Sequence, residues 1–114
     1  MAFVTEKQPE GCKYIYSLAP TLKKFTLKDM TFSETKLGNY EFKRMLEEVP
    51  NSNEGFLLKI IVNKELNGFK LSLTDKSGLR NVNIFQHANK IIQDKFYFQM
   101  DTFVDRGIFN KQEI

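Results

Sequence analysis

The segment Phe56-Leu57-Leu58-Lys59-Ile60-Ile61-Val62 constrains this chain more than any other, because its apolar residues fall on both odd and even positions. Successive strand side chains point to opposite faces, and the β-branched residues gather at its end. The pattern therefore predicts a central strand with both faces covered. Such a strand needs neighbours to pair with and a second layer to pack against. One neighbour follows at once: beyond Asn67-Gly68, Phe69, Leu71 and Leu73 alternate with Lys70, Ser72 and Thr74, which describes a strand with one wet face, paired antiparallel to the first.

Upstream, apolar residues also alternate. Tyr14, Tyr16 and Leu18 share one face; after Pro20, Phe25 and Leu27 continue the alternation against Lys24, Thr26 and Lys28 and predict another strand. A strand around Phe32 runs into Gly38-Asn39, and Tyr40 and Phe42 return from it, so a β-hairpin is expected there. Pro50-Asn51-Ser52-Asn53-Glu54-Gly55 concentrates turn formers and reads as a loop within the domain.

From about residue 84 the period changes. Spacing residues at 100° places Phe85, Ile92, Phe96, Met100, Phe103 and Val104 on one side of a long helix, which supplies the second layer. Asn83 with Gln86 resembles a capping box, Asn89 offers a second cap, and Gly107 after Arg106 offers a stop. The expected fold is α+β: antiparallel β-sheets of about five to seven short strands packed against one long C-terminal helix. The 114 residues, 41% of them hydrophobic and eleven of them Phe, suffice for one compact domain over 1–114 without a metal or disulfide staple.

The same composition excludes several functions. Cys12 has no second cysteine to pair with, and one Cys with one His falls short of a structural zinc site, so a reduced, cytoplasmic setting is expected with no cofactor and no metal. No apolar run approaches the ~20 residues of a membrane span, and the N-terminus lacks the features of a signal peptide. Seventeen Lys+Arg against fourteen Asp+Glu leave a net charge of +3, and lysines such as Lys24, Lys43 and Lys70 adjoin aromatics that point the other way. Nucleic-acid binding is therefore disfavoured. The glycines are too dispersed for a phosphate-cradling loop, and no nucleophile elbow, zinc pair or calcium loop occurs, so no catalytic residue is assigned.

Four weaker features remain. Arg80 offers a fork for a carboxylate, and His87 lies near the predicted helix start, where an anion is favoured; together they outline an anion or ligand pocket, against the plainer reading of solvated side chains near a turn. Cys12 beside Lys13 reads first as a buried structural thiol and second as a nucleophile. Glu47-Glu48 reads as a charged turn rather than an acid–base pair. On the helix, Asp94, Asp101 and Asp105 share a face with Lys90 but span roughly 16 Å, too far for one ion. Ile91 and Phe98, seven apart, land beside this acidic face instead of on the core stripe. Two bulky residues there call for a cover, either the N-terminal segment of the same chain or another protein; in the second case Ile91, Asp94, Phe98 and Asp101 outline a partner surface.

The strings Lys24-Phe25-Thr26-Leu27-Lys28-Asp29, Gly38-Asn39-Tyr40, Gly55-Phe56, Phe69-Lys70-Leu71-Ser72, Ser77-Gly78-Leu79 and Lys95-Phe96-Tyr97-Phe98 cover most of the chain. In their order the chain resembles a small family of Gram-positive bacterial proteins labelled with amino-acid metabolism and of unknown function. The resemblance implies β-sheets against one helix, and an association with amino-acid metabolism, including sulfur-handling enzymes, but no catalytic residues. That fold has been compared with pyruvoyl-dependent adenosylmethionine decarboxylases, whose bacterial forms self-cleave at a serine in a Glu-Ser-His context. None of Ser17, Ser33, Ser52, Ser72 or Ser77 follows Glu or precedes His, which speaks against that activity. The expectation is a non-enzymatic accessory or binding protein of the cytosol, partnered by another protein of amino-acid metabolism. The alternative is a small-molecule binder or weak enzyme using the Arg80 and His87 pocket.

Overall fold

The computed structural model describes residues 3–47, 55–87 and 90–113; for His87 the description is of the backbone. Its strands form two antiparallel sheets. One contains β1 (Glu6–Lys7), β2 (Tyr14–Leu18) and β7 (Phe109–Glu113) in the order β1-β2-β7. The other contains β3 (Ser33–Glu34), β4 (Tyr40–Leu46), β5 (Phe56–Val62) and β6 (Phe69–Asp75) in sequence order. Helix α1 (Lys24–Asp29) joins the sheets, and α2 (Ile84–His87) precedes the long α3 (Lys90–Asp105). Paired backbone bonds of 2.9 Å between Val4 and Phe69 tie the N-terminal segment to the β6 edge. No helix among the described residues is long and apolar enough to cross a membrane.

The expected α+β architecture is observed, and its local devices are visible. Gly38 takes φ +87° in the β3–β4 hairpin, where the backbone N–H of Thr35 donates to the Asn39 carbonyl at 2.7 Å. Strands β5 and β6 pair in the register Leu58 to Leu73 and Ile60 to Leu71, so one face aligns a continuous apolar grid. Against that face lie Phe96, Met100 and Phe103 of α3, fully buried. Asn83 Oδ1 accepts the N–H of Phe85 at 2.9 Å, as an N-cap of α2 should. Helix α3 ends in a Schellman motif: Gly107 has φ +80°, and the N–H groups of Ile108 and Gly107 donate to Phe103 O and Val104 O. Asn89, the second expected cap, and most of the Pro50–Gly55 loop lie outside the described residues.

Three expectations are corrected. Phe25 and Leu27 belong to a short helix instead of a strand, with Leu27 buried and Phe25 63% exposed. Six residues are too few to separate a period of 2 from one of 3.6. The helix stops without glycine: Thr31 adopts φ +70°, while the N–H groups of Phe32 and Thr31 donate to Leu27 O and Lys28 O in a second Schellman motif. Second, β5 is fully covered on one face alone. On the other, Leu57, Lys59 and Ile61 are half-buried, and Lys59 Nζ pairs with Glu41 at 3.5 Å. Third, the chain beyond Gly107 forms β7, whose five residues pair with Tyr14–Leu18 across more than ninety positions of sequence.

Candidate functional site

The outer face of α3 carries the largest exposed apolar side chain on the helix. Its inner face is spent on the core, whereas Phe98 is 70% exposed and Ile91, two turns earlier on the same side, 47%. Asp94 lies exposed between them. Asp101 belongs to the same face but is engaged: its carboxylate accepts Lys111 Nζ from β7 at 2.7 Å, and that bond holds the lysine charged, raising its pKa. The helical phase therefore places Ile91, Asp94, Phe98 and Asp101 together as expected, with one carboxylate already paired inside the chain.

Phe98 also forms one wall of a groove of about 430 Å³ between the end of α1, β4 and α3. Asp29, Met30 and Thr31 line it from the end of α1, Phe42, Lys43 and Arg44 from β4, and Gln99 and Thr102 from α3. Arg44 shares the strand parity of buried Tyr40, Phe42 and Leu46 but is itself exposed, at the groove. Its Nη1 donates to Oε1 of buried Gln99 at 2.5 Å. Sequence reasoning missed this groove because Arg44 and Gln99 are 55 residues apart. A charged residue on the otherwise apolar Tyr40, Phe42 and Leu46 parity of the strand was the one available signal.

A second cavity, of about 290 Å³, opens between the N-terminal segment, β6 and the start of α2, with Asn81 to Phe85 along one side. Arg80 adjoins this wall in sequence; it is exposed, and its backbone carbonyl accepts the Asp75 N–H at 2.9 Å. His87 closes α2, but its side chain lies outside the described residues. The turn between β6 and Arg80 is held by Asp75, whose carboxyl pKa is lowered chiefly by the Ser77 hydroxyl donating to it at 2.6 Å.

Cys12 is buried, in agreement with the structural reading of its thiol. It lies beside two phenols. Tyr16 is fully buried, its hydroxyl has no oxygen or nitrogen partner among the described residues, and burial first, then Cys12, pushes its pKa upward. Tyr97 is shifted upward as well, by burial first, while its hydroxyl accepts the Lys13 N–H at 3.1 Å. Rings of Tyr14, Tyr16, Phe85, Phe96 and Tyr97 enclose this corner, with centroids 5.5–6.2 Å apart. Glu48, the partner considered for Glu47, lies outside the described residues, and Glu47 pairs with Lys76 at 3.5 Å. Among the described residues no group of three His, Cys, Asp or Glu side chains is placed to hold a metal ion.

This arrangement is similar to that of a solved protein. A crystal structure of a DUF1831 family protein from Lactobacillus plantarum matches with a TM-score of 0.89 and 31% sequence identity, covering 98% of this chain and 99% of that one. No curated protein matches. The family model for DUF1831, described as "Putative amino acid metabolism", matches residues 1–110, and the chain therefore belongs to the DUF1831 family.

Proposed function

We propose that the protein is a non-enzymatic binding protein of amino-acid metabolism that docks another protein of the cytosol through the outer face of α3. The observation that carries this reading is Phe98, 70% exposed in the middle of a helix whose opposite side is entirely core, with Ile91 beside it. Water-exposed aromatic surface of this kind forms the anchor of many interfaces, and Asp94 supplies a polar rim. The absence of an assigned nucleophile or acid–base pair agrees with binding in place of catalysis. The test is the double substitution Ile91→Ser with Phe98→Ser. The variant is expected to remain folded by circular dichroism while the protein loses its partner in co-purification; retained association, or unfolding, would refute the docking face.

A second reading is favoured by the 290 Å³ cavity, whose wall of Asn81 to Phe85 adjoins Arg80 and leads to His87. In this reading the protein binds a small anionic molecule there, with Arg80 holding the charge. Arg80→Ala would then abolish thermal stabilisation by phosphate or a small carboxylate; unchanged stabilisation would remove the site.

A further inference from the structure

The groove beside Phe98 contains two opposite charges that do not meet. Arg44 and Asp29 both line it, yet among the described residues no ion pair joins them, and Arg44 has no carboxylate partner. Arg44 is exposed, so its guanidinium is accessible to an anion from solvent. Here one of its five N–H donors goes to the neutral Gln99 carbonyl and fixes the fork against α3. Lys43 also lines the groove, but its ammonium is already engaged, with Nζ 3.5 Å from Glu41. Between the charges, Met30 and Phe98 offer apolar surface. A third feature marks the rim. Thr31, β-branched, is held at φ +70°, where glycine would sit without strain, and such strain gathers at ligand sites.

We infer that this groove binds a free α-amino acid with an apolar side chain, Arg44 taking its carboxylate, Asp29 its ammonium, and Met30 with Phe98 its side chain. The groove's 430 Å³ falls within the ~300–1,000 Å³ of small-molecule sites. A simple dianion fits worse, because Asp29 would repel it and Lys43 is engaged by Glu41, whereas a zwitterion sets its carboxylate against Arg44 and its ammonium against Asp29. A guanidinium fork suits a planar carboxylate and gives the ligand its orientation. This inference rests on the amino-acid-metabolism part of the proposed function; it shares Phe98 with the docking face but turns on Arg44 and Asp29, which do not belong to that face.

Titration of ¹⁵N-labelled protein with L-leucine and L-methionine tests it. Saturable shifts are expected at the backbone amides of Thr31, Arg44 and Gln99. Leucinamide, which lacks the carboxylate, and 4-methylpentanoate, which lacks the ammonium, are expected to bind more weakly. Arg44→Lys keeps the charge but loses the fork, and it is expected to weaken L-leucine binding about tenfold or more. The wild-type map stands even if that variant fails to fold. No saturable shift with either amino acid, shifts confined to Asn81–Phe85, equal binding of the truncated probes, or unchanged affinity in a folded Arg44→Lys protein would each overturn the assignment. Partner loss in the Ile91→Ser/Phe98→Ser protein, with no saturable amino-acid shift in the wild-type protein, would defeat this inference alone. Amino-acid binding with the partner retained would defeat only the docking face.

Discussion

Replacing Thr31 by glycine should stabilise the protein, although it deletes a side chain. Thr31 occupies the position after the C-cap of α1 with φ +70°, and a left-handed conformation costs an L-residue about 1–2 kcal/mol. Glycine removes that cost but adds about 0.4–1 kcal/mol of backbone freedom to the unfolded chain. The side chain is exposed, so little burial is lost, and glycine retains the N–H that donates to Lys28 O at 3.1 Å. The net gain is about 0.5–1 kcal/mol, or a rise in Tm of about 2–4 °C for a chain of this size. Urea unfolding at constant m-value measures it, with Thr31→Ala as the control that keeps a Cβ at positive φ and should change stability by less than about 0.5 kcal/mol. A glycine variant less stable than wild type would refute the reasoning. It would mean that the threonine side chain makes contacts outweighing the strain.

Phe96→Ser and Phe98→Ser, two residues apart on α3, should differ sharply. Phe96 is fully buried and its truncation is expected to cost about 3–5 kcal/mol or to unfold the protein, whereas Phe98 buries under a third of its surface and should cost about 1 kcal/mol or less; similar losses in urea unfolding would contradict the helix phase. Tyr16 and Tyr97 both have upward-shifted phenols, so the folded state keeps protons that the unfolded chain releases near pH ~10. Their contribution is intact below that pH and is lost as pH rises above it, and an ultraviolet titration should show Tyr16 ionising only together with unfolding. Tyr16→Phe deletes a buried hydroxyl without an oxygen or nitrogen partner among the described residues; it should leave stability unchanged or raise it by up to about 1 kcal/mol and should delay alkaline unfolding. An alkaline midpoint unmoved by that change would show that another group governs the transition.

What could be read from the chain was what local chemistry controls. Glycine and asparagine at the β3–β4 turn, the alternation of β6 and the stop at Gly107 each act within a few residues, and all three are found where the pattern placed them. Helix α1 was not legible, because six residues satisfy two periods and a threonine stands where glycine usually ends a helix. Strand β7 offers Phe109 as its sole large apolar residue, so its register is set by a partner at the other end of the chain. The division into two sheets follows from that distant pairing. The same division applies to the site. Ile91 and Phe98 were found from helical spacing alone, but the pairing of Asp101 with Lys111 and of Arg44 with Gln99 depends on tertiary contacts. Composition carries no record of these.

Hydrogen-exchange mass spectrometry of the protein purified gently with whatever polypeptide accompanies it tests the docking face most directly. The account predicts slowed exchange across residues 91–101 in the wild-type assembly relative to the free protein, and no second polypeptide with the Ile91→Ser/Phe98→Ser variant. An assembly that protects a different surface, or that survives the double substitution intact, would contradict it.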